Sequence, residues 1–382
     1  MDLELTEEQA AVRELAAAFT DREVVPFAAE WDRTESIDLG VVRKLGGLGF
    51  LGLTLPEEYG GSGGDHLAYC LVLEELGRGD SSVRGVVSVT LGLVAKSVNA
   101  FGTEEQKRQW LPRLCSGEAL GCFALTEPGT GSDAANLTTR AERDGGDWLI
   151  SGAKMFITNG TWADVALVFA RTGGPGHRGV TAFLVPTDAP GFERRPVHGK
   201  LGLRGQATAE LSFDRVRVPD GARLGEVGKG FTVAMAALAK GRMSVAAGCV
   251  GIAQASLDAA VRYAGEREQF KKPIAAHQLV QELLADIAVD VDAARLLTWR
   301  VADLIDRGQP FATASSVAKL YASEAAVRCA NNALQVFGGY GFIDEYPVGK
   351  YLRDARVMTL YEGTSQIHKL LIGRALTGVD AF

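Results

Sequence analysis

Cysteine is scarce in this chain and badly spaced for a structural role. The five residues, Cys70, Cys115, Cys122, Cys249 and Cys329, are odd in number, lie far apart and include no C-x-x-C. That argues against a disulfide framework and a zinc site, and for free thiols in a reducing compartment. An excess of positive charge is missing too. Forty Lys and Arg stand against 47 Asp and Glu, a net charge of −7, which leaves no electrostatic footprint for nucleic acid or an anionic membrane. Basic pairs such as Arg194–Arg195 and Lys271–Lys272 read as solvated surface. No uninterrupted apolar run is long enough to cross a bilayer. The acidic start, Met1 to Glu8, lacks the apolar stretch of a secretory signal, so a cytoplasmic location is expected. Repeats are absent. So are the Gly-Lys-Ser/Thr of a P-loop and a glycine fingerprint set between a strand and a helix.

What is present is an ordinary globular composition, 47% hydrophobic and 23% charged over 382 residues. That length is too great for one simple core, so two or three packed units are expected. The chain reads as helix, then strand, then helix. Thr6 with Gln9 forms a capping box before Val12, Leu15, Ala16 and Phe19, which share one helical face. Further helical runs cover 66–76, 87–99 and 103–114, the last with Thr103 as N-cap. From about Gly121 to Val218, short apolar runs at 148–150, 165–169, 180–185 and 211–218 alternate with turn residues. Strand follows strand there without intervening helices, which predicts an antiparallel β unit. Four helical runs then follow, at 231–266, 279–305, 312–337 and 364–375, with short connections that suggest a bundle. The predicted architecture is α+β: an N-terminal α-helical domain (1–119), a middle antiparallel β domain (120–230) and a C-terminal four-helix bundle (231–382).

Five short strings could carry chemistry. Leu125-Thr126-Glu127-Pro128-Gly129-Thr130-Gly131-Ser132-Asp133 sits where helices give way to strands. Its glycines would let a ligand approach the backbone, and its N–H and hydroxyl groups could hold phosphate oxygens; on spacing alone, however, the string reads first as a surface turn. Tyr361-Glu362-Gly363-Thr364-Ser365-Gln366 puts a carboxylate on a glycine-containing turn. In an apolar cavity desolvation would raise its pKa and make it a stronger base; otherwise Glu362 is a surface charge ahead of a helix capped by Thr364. Gln335 to Phe342 reads as a helix end followed by a glycine loop. Arg267 to Pro273 reads as a charged helix end, and Phe156 to Gly160 as a strand running into a turn.

Taken together and in order, with Leu55 to Gly61 and Phe101 to Lys107, these strings resemble the acyl-CoA dehydrogenase family over essentially the whole chain. The resemblance implies FAD between the β domain and the bundle, a homotetramer whose subunits share flavin sites, and electron-transfer flavoprotein as electron acceptor. It implies that Glu362 takes the α-proton while the β-hydride passes to flavin N5. Phe123, Leu125, Thr126, Phe156 and Thr158 would flank the isoalloxazine, with the Thr158 hydroxyl toward N5. Gly131 and Ser132 match positions at the FAD pyrophosphate, and the resemblance also implies Ser132 near the CoA moiety. Arg267, Gln269, Phe270, Gln335 and Gly339 match positions that reach a neighbouring subunit's flavin; Thr364 and Gln366 also match FAD contacts. Arg242, Tyr361 and Arg374 resemble positions near the acyl-CoA. Some members carry their base on the first bundle helix, where this chain has Gly241, so Glu362 is the expected base. Two departures from the pattern are Lys271, where glycine is usual, and Phe156, where tryptophan is frequent.

For the acyl group, the resemblance is first to short-chain, butyryl-type enzymes. Arg84 and Ser88 also match residues that hold the distal carboxylate in glutaryl-CoA dehydrogenases, and their i, i+4 spacing shares a helical face. Alternatively Arg84 pairs with Asp80 or faces solvent. A carrier-protein thioester, an oxidase or monooxygenase on the same fold, and a non-enzymatic acyl-CoA binder are the competing readings.

Overall fold

The computed structural model describes residues 4–381; the first three residues of the acidic N-terminus lie outside the described residues. The N-terminal helices are α1 (Glu7–Glu23), α2 (Ala28–Thr34), α3 (Leu39–Gly47), α4 (His66–Gly79), α5 (Ser81–Val87), α6 (Lys96–Phe101) and α7 (Glu104–Ser116). Thr6 and Thr103 both form the reciprocal capping box, with Gln9 and Gln106. Helices α2 and α3 were not foreseen. The run read as one helix over 87–99 is divided: Ser88–Ala95 winds as a π-helix between α5 and α6, all of it buried. Such widened turns are frequent at functional sites.

The middle of the chain is a sheet of β1 (Gly121–Ala124), β2 (Arg140–Asp144), β3 (Asp147–Thr158), β4 (Val165–Arg171), β5 (Val180–Pro186), β6 (Phe192–Pro196), β7 (Thr208–Pro219) and β8 (Arg223–Leu224). The order is β6-β7-β3-β2-β4-β5-β8, and β1 lies beside β4. Most pairs are antiparallel as expected, but β1 runs parallel to β4 and β2 touches β4 in parallel at one residue pair. Strand β4 is buried on both faces. Val165, Leu167 and Phe169 join the helical core, while Ala166, Val168 and Ala170 join a second core with Trp148, Phe183 and Phe213. Two buried faces explain why β4 reads as a continuous apolar run and not as an alternation.

The C-terminal part contains α8 (Gly230–Glu266), the hairpin β9 (Glu268–Gln269) and β10 (Lys272–Pro273), α9 (Gln278–Asp306), α10 (Ala312–Phe337), α11 (Val348–Met358) and α12 (Ser365–Thr377). Helix α8 packs against α4, α9 and α10. It is long and apolar enough to cross a membrane by length and mean hydropathy, but most of that stretch is buried in the protein, as in a core helix. Helix α11 was missed because its charged residues mask the apolar stripe. Two of those charges reach neighbouring elements: Arg353 pairs with Asp32, and Lys350 lies 3.0 Å from Asp80 while also pairing within the helix with Asp354 at 2.5 Å.

Candidate active site

The turn between α11 and α12 sets the central geometry. Thr364 caps α12 by accepting from the Ile367 N–H at 3.2 Å, as the sequence predicts. Glu362, just ahead of that cap, adopts a left-handed φ of 51° and Gly363 a φ of 100°. A non-glycine residue there costs about 1–2 kcal/mol, so the turn has to be held by its surroundings. Its effect is to send the Glu362 carboxylate inward. Oε2 is buried and meets no hydrogen-bond partner among the described residues. Opposite it is Gly241 of α8, where a β-carbon would collide with Oε2 and come within 2.8 Å of Leu93 on the π-segment. Glycine at 241 is therefore the space into which the carboxylate projects. Burial pushes the Glu362 pKa up to about 7, with Arg84, Lys319 and Arg242 restraining the rise. The residue as a whole is only half-buried, so the pocket keeps an opening.

Arg84 is 2% exposed. Its guanidinium donates to Ser88 Oγ at 3.0 Å and to the Tyr361 hydroxyl at 2.7 Å, while Nε is buried without a partner. The alternative pairing with Asp80 is not realised, because Asp80 caps α5 and pairs with Lys350. No carboxylate hydrogen-bonds Arg84 among the described residues, although Glu362 acts on it through its charge. The guanidinium lies against Gly248, where a β-carbon would stand 2.7 Å from Nε. Arg242 also enters this region, donating to Ser316 Oγ at 3.3 Å, and its Nε too lacks a partner.

The glycine-rich string is pinned at its start. Glu127 and Thr130 exchange backbone hydrogen bonds of 3.0 and 3.1 Å. The buried Glu127 carboxylate accepts from Lys154 Nζ at 2.9 Å, from the Thr138 N–H and hydroxyl, and from the Thr139 N–H at 2.8 Å. Burial alone would raise the pKa of Glu127; Lys154 and the threonine donors bring it down to about 2. Burial lowers Lys154 to about 8 against the pull of Glu127, so both stay charged at neutral pH. Beyond this anchor Gly129, Gly131, Ser132 and Asp133 are exposed, and a β-carbon at Gly129 or Gly131 would meet nothing.

Strand β3 continues from Lys154 into a bulge. Lys154 pairs with Leu211 but Ile157 pairs with Ala209, so one extra residue is accommodated. Phe156 sits there with φ 60° and is 63% exposed. Bulges re-aim side chains in this way, and an exposed ring on a rigid strand is a surface for a flat ligand. Thr158, at the end of β3, contacts Gln206 at 3.4 Å. The Met155 N–H donates to Thr126 O at 2.9 Å, which brings Thr126 alongside this segment. Phe123 lies on β1 with its ring against Phe169, and Leu125 is buried.

The remaining predicted cofactor residues form a separate cluster. Phe270 and Lys271 have φ values of 54° and 67° and join β9 to β10 as a two-residue turn. Such turns need left-handed backbone at both positions, a conformation that glycine would adopt more readily than the lysine at 271. Phe270 is 88% exposed. The Arg267 guanidinium lies 5.4 Å from the Tyr340 ring centroid, placing this hairpin beside the Gly339 loop. Gln335 and Gly339 are at the far end of α10. Lys319, which reaches the Glu362 turn, is about 24 Å from Gln335 along that helix. One chain therefore does not bring the two clusters together. Gln366 is exposed on the first turn of α12. Arg374, at the other end of α12, is exposed and pairs with Asp380 at 2.9 Å, away from Glu362.

Sequence reasoning missed Lys154, Lys319 and His368. Lys319 and His368 fall on apolar helical faces, where a single polar residue looks like noise, and Lys154 lies within a strand. The residues present fit a large flat group bearing phosphates: Phe156 is bared by a bulge, the glycines at 129 and 131 have empty space above them, and the buried Asn159 Oδ1 lacks a partner.

Comparisons with known proteins agree over the full length. The family models described as acyl-CoA dehydrogenase N-terminal, middle and C-terminal domains match residues 6–118, 122–216 and 228–377. The short-chain specific mitochondrial acyl-CoA dehydrogenase of Rattus norvegicus is 43% identical over 97% of this chain and 90% of its own length. The butyryl-CoA dehydrogenase of Megasphaera elsdenii superposes with a TM-score of 0.97 at 40% identity, covering 98% of this chain and 100% of that one. A glutaryl-CoA dehydrogenase of Mycobacterium smegmatis in complex with FADH2 gives a TM-score of 0.95 at 38% identity, covering 99% and 96%.

Proposed function

Because the chain belongs to the acyl-CoA dehydrogenase family of FAD-dependent oxidoreductases, we propose that it introduces an α,β double bond into a short-chain acyl-CoA thioester with Glu362 as the base. The observation that carries this reading is the Glu362 carboxylate, whose Oε2 is buried without a partner among the described residues and aimed into the space left by Gly241. An acyl thioester α-proton is weakly acidic, so the base must be strong for a carboxylate. A pKa near 7 serves that need while leaving much of the group ionised at neutral pH. The Glu362 N–H would polarise the thioester carbonyl as charge develops on it. Glu362 accepts the α-proton, and Arg242 and Lys319 remain as fixed positive charges around the carboxylate.

FAD, when bound, supplies the acceptor for the β-hydride. Phe123, Leu125, Thr126, Phe156 and Thr158 would flank its ring, and Gly131 and Ser132 would hold its phosphates. Thr364 and Gln366 would meet it from α12. Arg267, Gln269, Phe270, Gln335 and Gly339 would complete the site of a neighbouring copy, which accords with their distance from Glu362 in one chain and with the exposure of Phe270. We further propose a homotetramer, with electron-transfer flavoprotein as the oxidant that restores the enzyme.

A second reading of the substrate has its own support. A buried guanidinium without a hydrogen-bonded carboxylate is costly, and Arg84 and Ser88 would offer donors to a distal carboxylate of a short dicarboxylic acyl group. The test of both readings is anaerobic bleaching of the flavin by butyryl-CoA and glutaryl-CoA, with Glu362→Gln as control. The base assignment expects the variant to keep FAD and lose bleaching by either thioester; wild-type bleaching in the variant refutes it. Preferential bleaching of the wild-type protein by glutaryl-CoA would establish the dicarboxylic reading, and bleaching by butyryl-CoA alone the monocarboxylic one.

A further inference from the structure

Lys319 lies inside the molecule beside the strained turn. It is 0% exposed, and its ammonium donates to the Gly363 carbonyl at 2.7 Å. It forms no ion pair among the described residues. Taking an ammonium out of water without a direct counter-ion costs several kcal/mol, so its presence needs an account that packing alone does not give. The turn it touches needs support, since Glu362 is left-handed. The fully buried His368 ring closes the other side, its Nε2 3.0 Å from where a Gly363 β-carbon would stand. The Ser365 N–H donates to Thr359 O at 3.0 Å, and Ser365 Oγ donates to Glu324 on α10 at 2.5 Å.

We propose that Lys319 is a positioning residue for the base: its ammonium fixes the Gly363 carbonyl, which holds the left-handed Glu362 turn, and its charge favours the ionised form of the Glu362 carboxylate beside it. The inference rests on Glu362 acting as the base. Other groups face that carboxylate as well. Arg84 comes from α5, Arg242 from α8, the neutral phenols of Tyr69 and Tyr361 from α4 and the turn itself, and His368 from α12. Among the three cations, Lys319 alone is hydrogen-bonded to the backbone of the turn. It therefore couples the shape of the turn to the charge of the base. Burial lowers Lys319 to about 8, which leaves it mostly protonated at neutral pH.

The test is a pH titration of the Glu362 carboxyl by infrared difference spectroscopy on the FAD-loaded protein, with the band assigned by its loss in Glu362→Gln. In Lys319→Met the titration is expected to move up by about one pH unit, and the acid limb of flavin bleaching to move with it. Lys319→Arg is expected to keep the titration near its wild-type position. Lys369→Met, on the exposed face of α12, is expected to change nothing. An unmoved titration in Lys319→Met overturns the inference, as does a bleaching rate lowered equally at every pH, which would mean a merely structural lysine. If Lys319→Met does not retain FAD, Lys319→Gln keeps a polar donor in the same space and is read by the same criteria. The infrared titration needs no turnover. Failure of the wild-type protein to bleach with any thioester would therefore refute the base role of Glu362 separately.

Discussion

Replacing Gly241 by alanine tests the site with a single carbon atom. In the interior of a helix that change normally stabilises by about 0.5–1 kcal/mol. Here the new β-carbon would collide with Glu362 Oε2 and lie 2.8 Å from Leu93 Cδ2. Overpacking of a buried position costs about 1–3 kcal/mol, so the net destabilisation is at most about 2.5 kcal/mol and the melting temperature should fall by no more than several degrees. Both obstructing atoms are the tips of flexible side chains. The strain is therefore relieved by withdrawal of the carboxylate and not by unfolding. A displacement of about 1 Å at a reacting group is worth roughly a hundredfold in rate, or about 2.7 kcal/mol of activation free energy. The assay is stopped-flow anaerobic bleaching of the flavin by butyryl-CoA, with FAD content and melting temperature measured on the same sample. Bleaching at the wild-type rate by a folded, FAD-loaded Gly241→Ala would refute the claim that the carboxylate works from the space above residue 241.

Three further outcomes are expected. Glu362 must be ionised to act, and burial raises it from its ordinary value to about 7, so bleaching rates should rise with pH through about 7 and level off above it; a rate already at plateau at pH 5 would contradict this. Arg84→Met removes a buried guanidinium that no carboxylate hydrogen-bonds, and should lower bleaching by glutaryl-CoA at least tenfold more than by butyryl-CoA if the distal-carboxylate reading holds; equal losses would make Arg84 structural. Lys154→Met leaves Glu127 buried without its cation and should destabilise by about 3 kcal/mol, seen in urea denaturation. The ion pair contributes through a depressed Glu127 pKa, so its stabilisation is present above pH 4.5 and is lost as pH falls toward 2.

Helix caps and strand runs are local properties, and they could be read directly. Thr6, Thr103 and Thr364 cap as their sequences indicate, and the apolar runs at 165–169 and 180–185 are strands. Glu362 stood out in the sequence because its neighbours Tyr361, Gly363 and Thr364 belong to one contiguous string. The elements misread were those whose character depends on distant partners. Helix α11 carries charges that are neutralised by Asp32 and Asp80, more than two hundred residues away in the chain. The π-turn at Ser88–Ala95 has the composition of an ordinary buried helix.

The sequence by itself determined the order of units, the family pattern and the residue proposed as the base, because these are carried by periodicity, capping and short strings. Tertiary structure decided the chemistry of that base. Only folding brings Gly241 opposite Glu362, buries its Oε2 and surrounds the carboxylate with Arg84, Arg242 and Lys319. It also decided that Asp80 pairs with Lys350 and leaves Arg84 without a carboxylate hydrogen bond. Desolvation and charge pairing depend on distances across the fold, which no local pattern encodes.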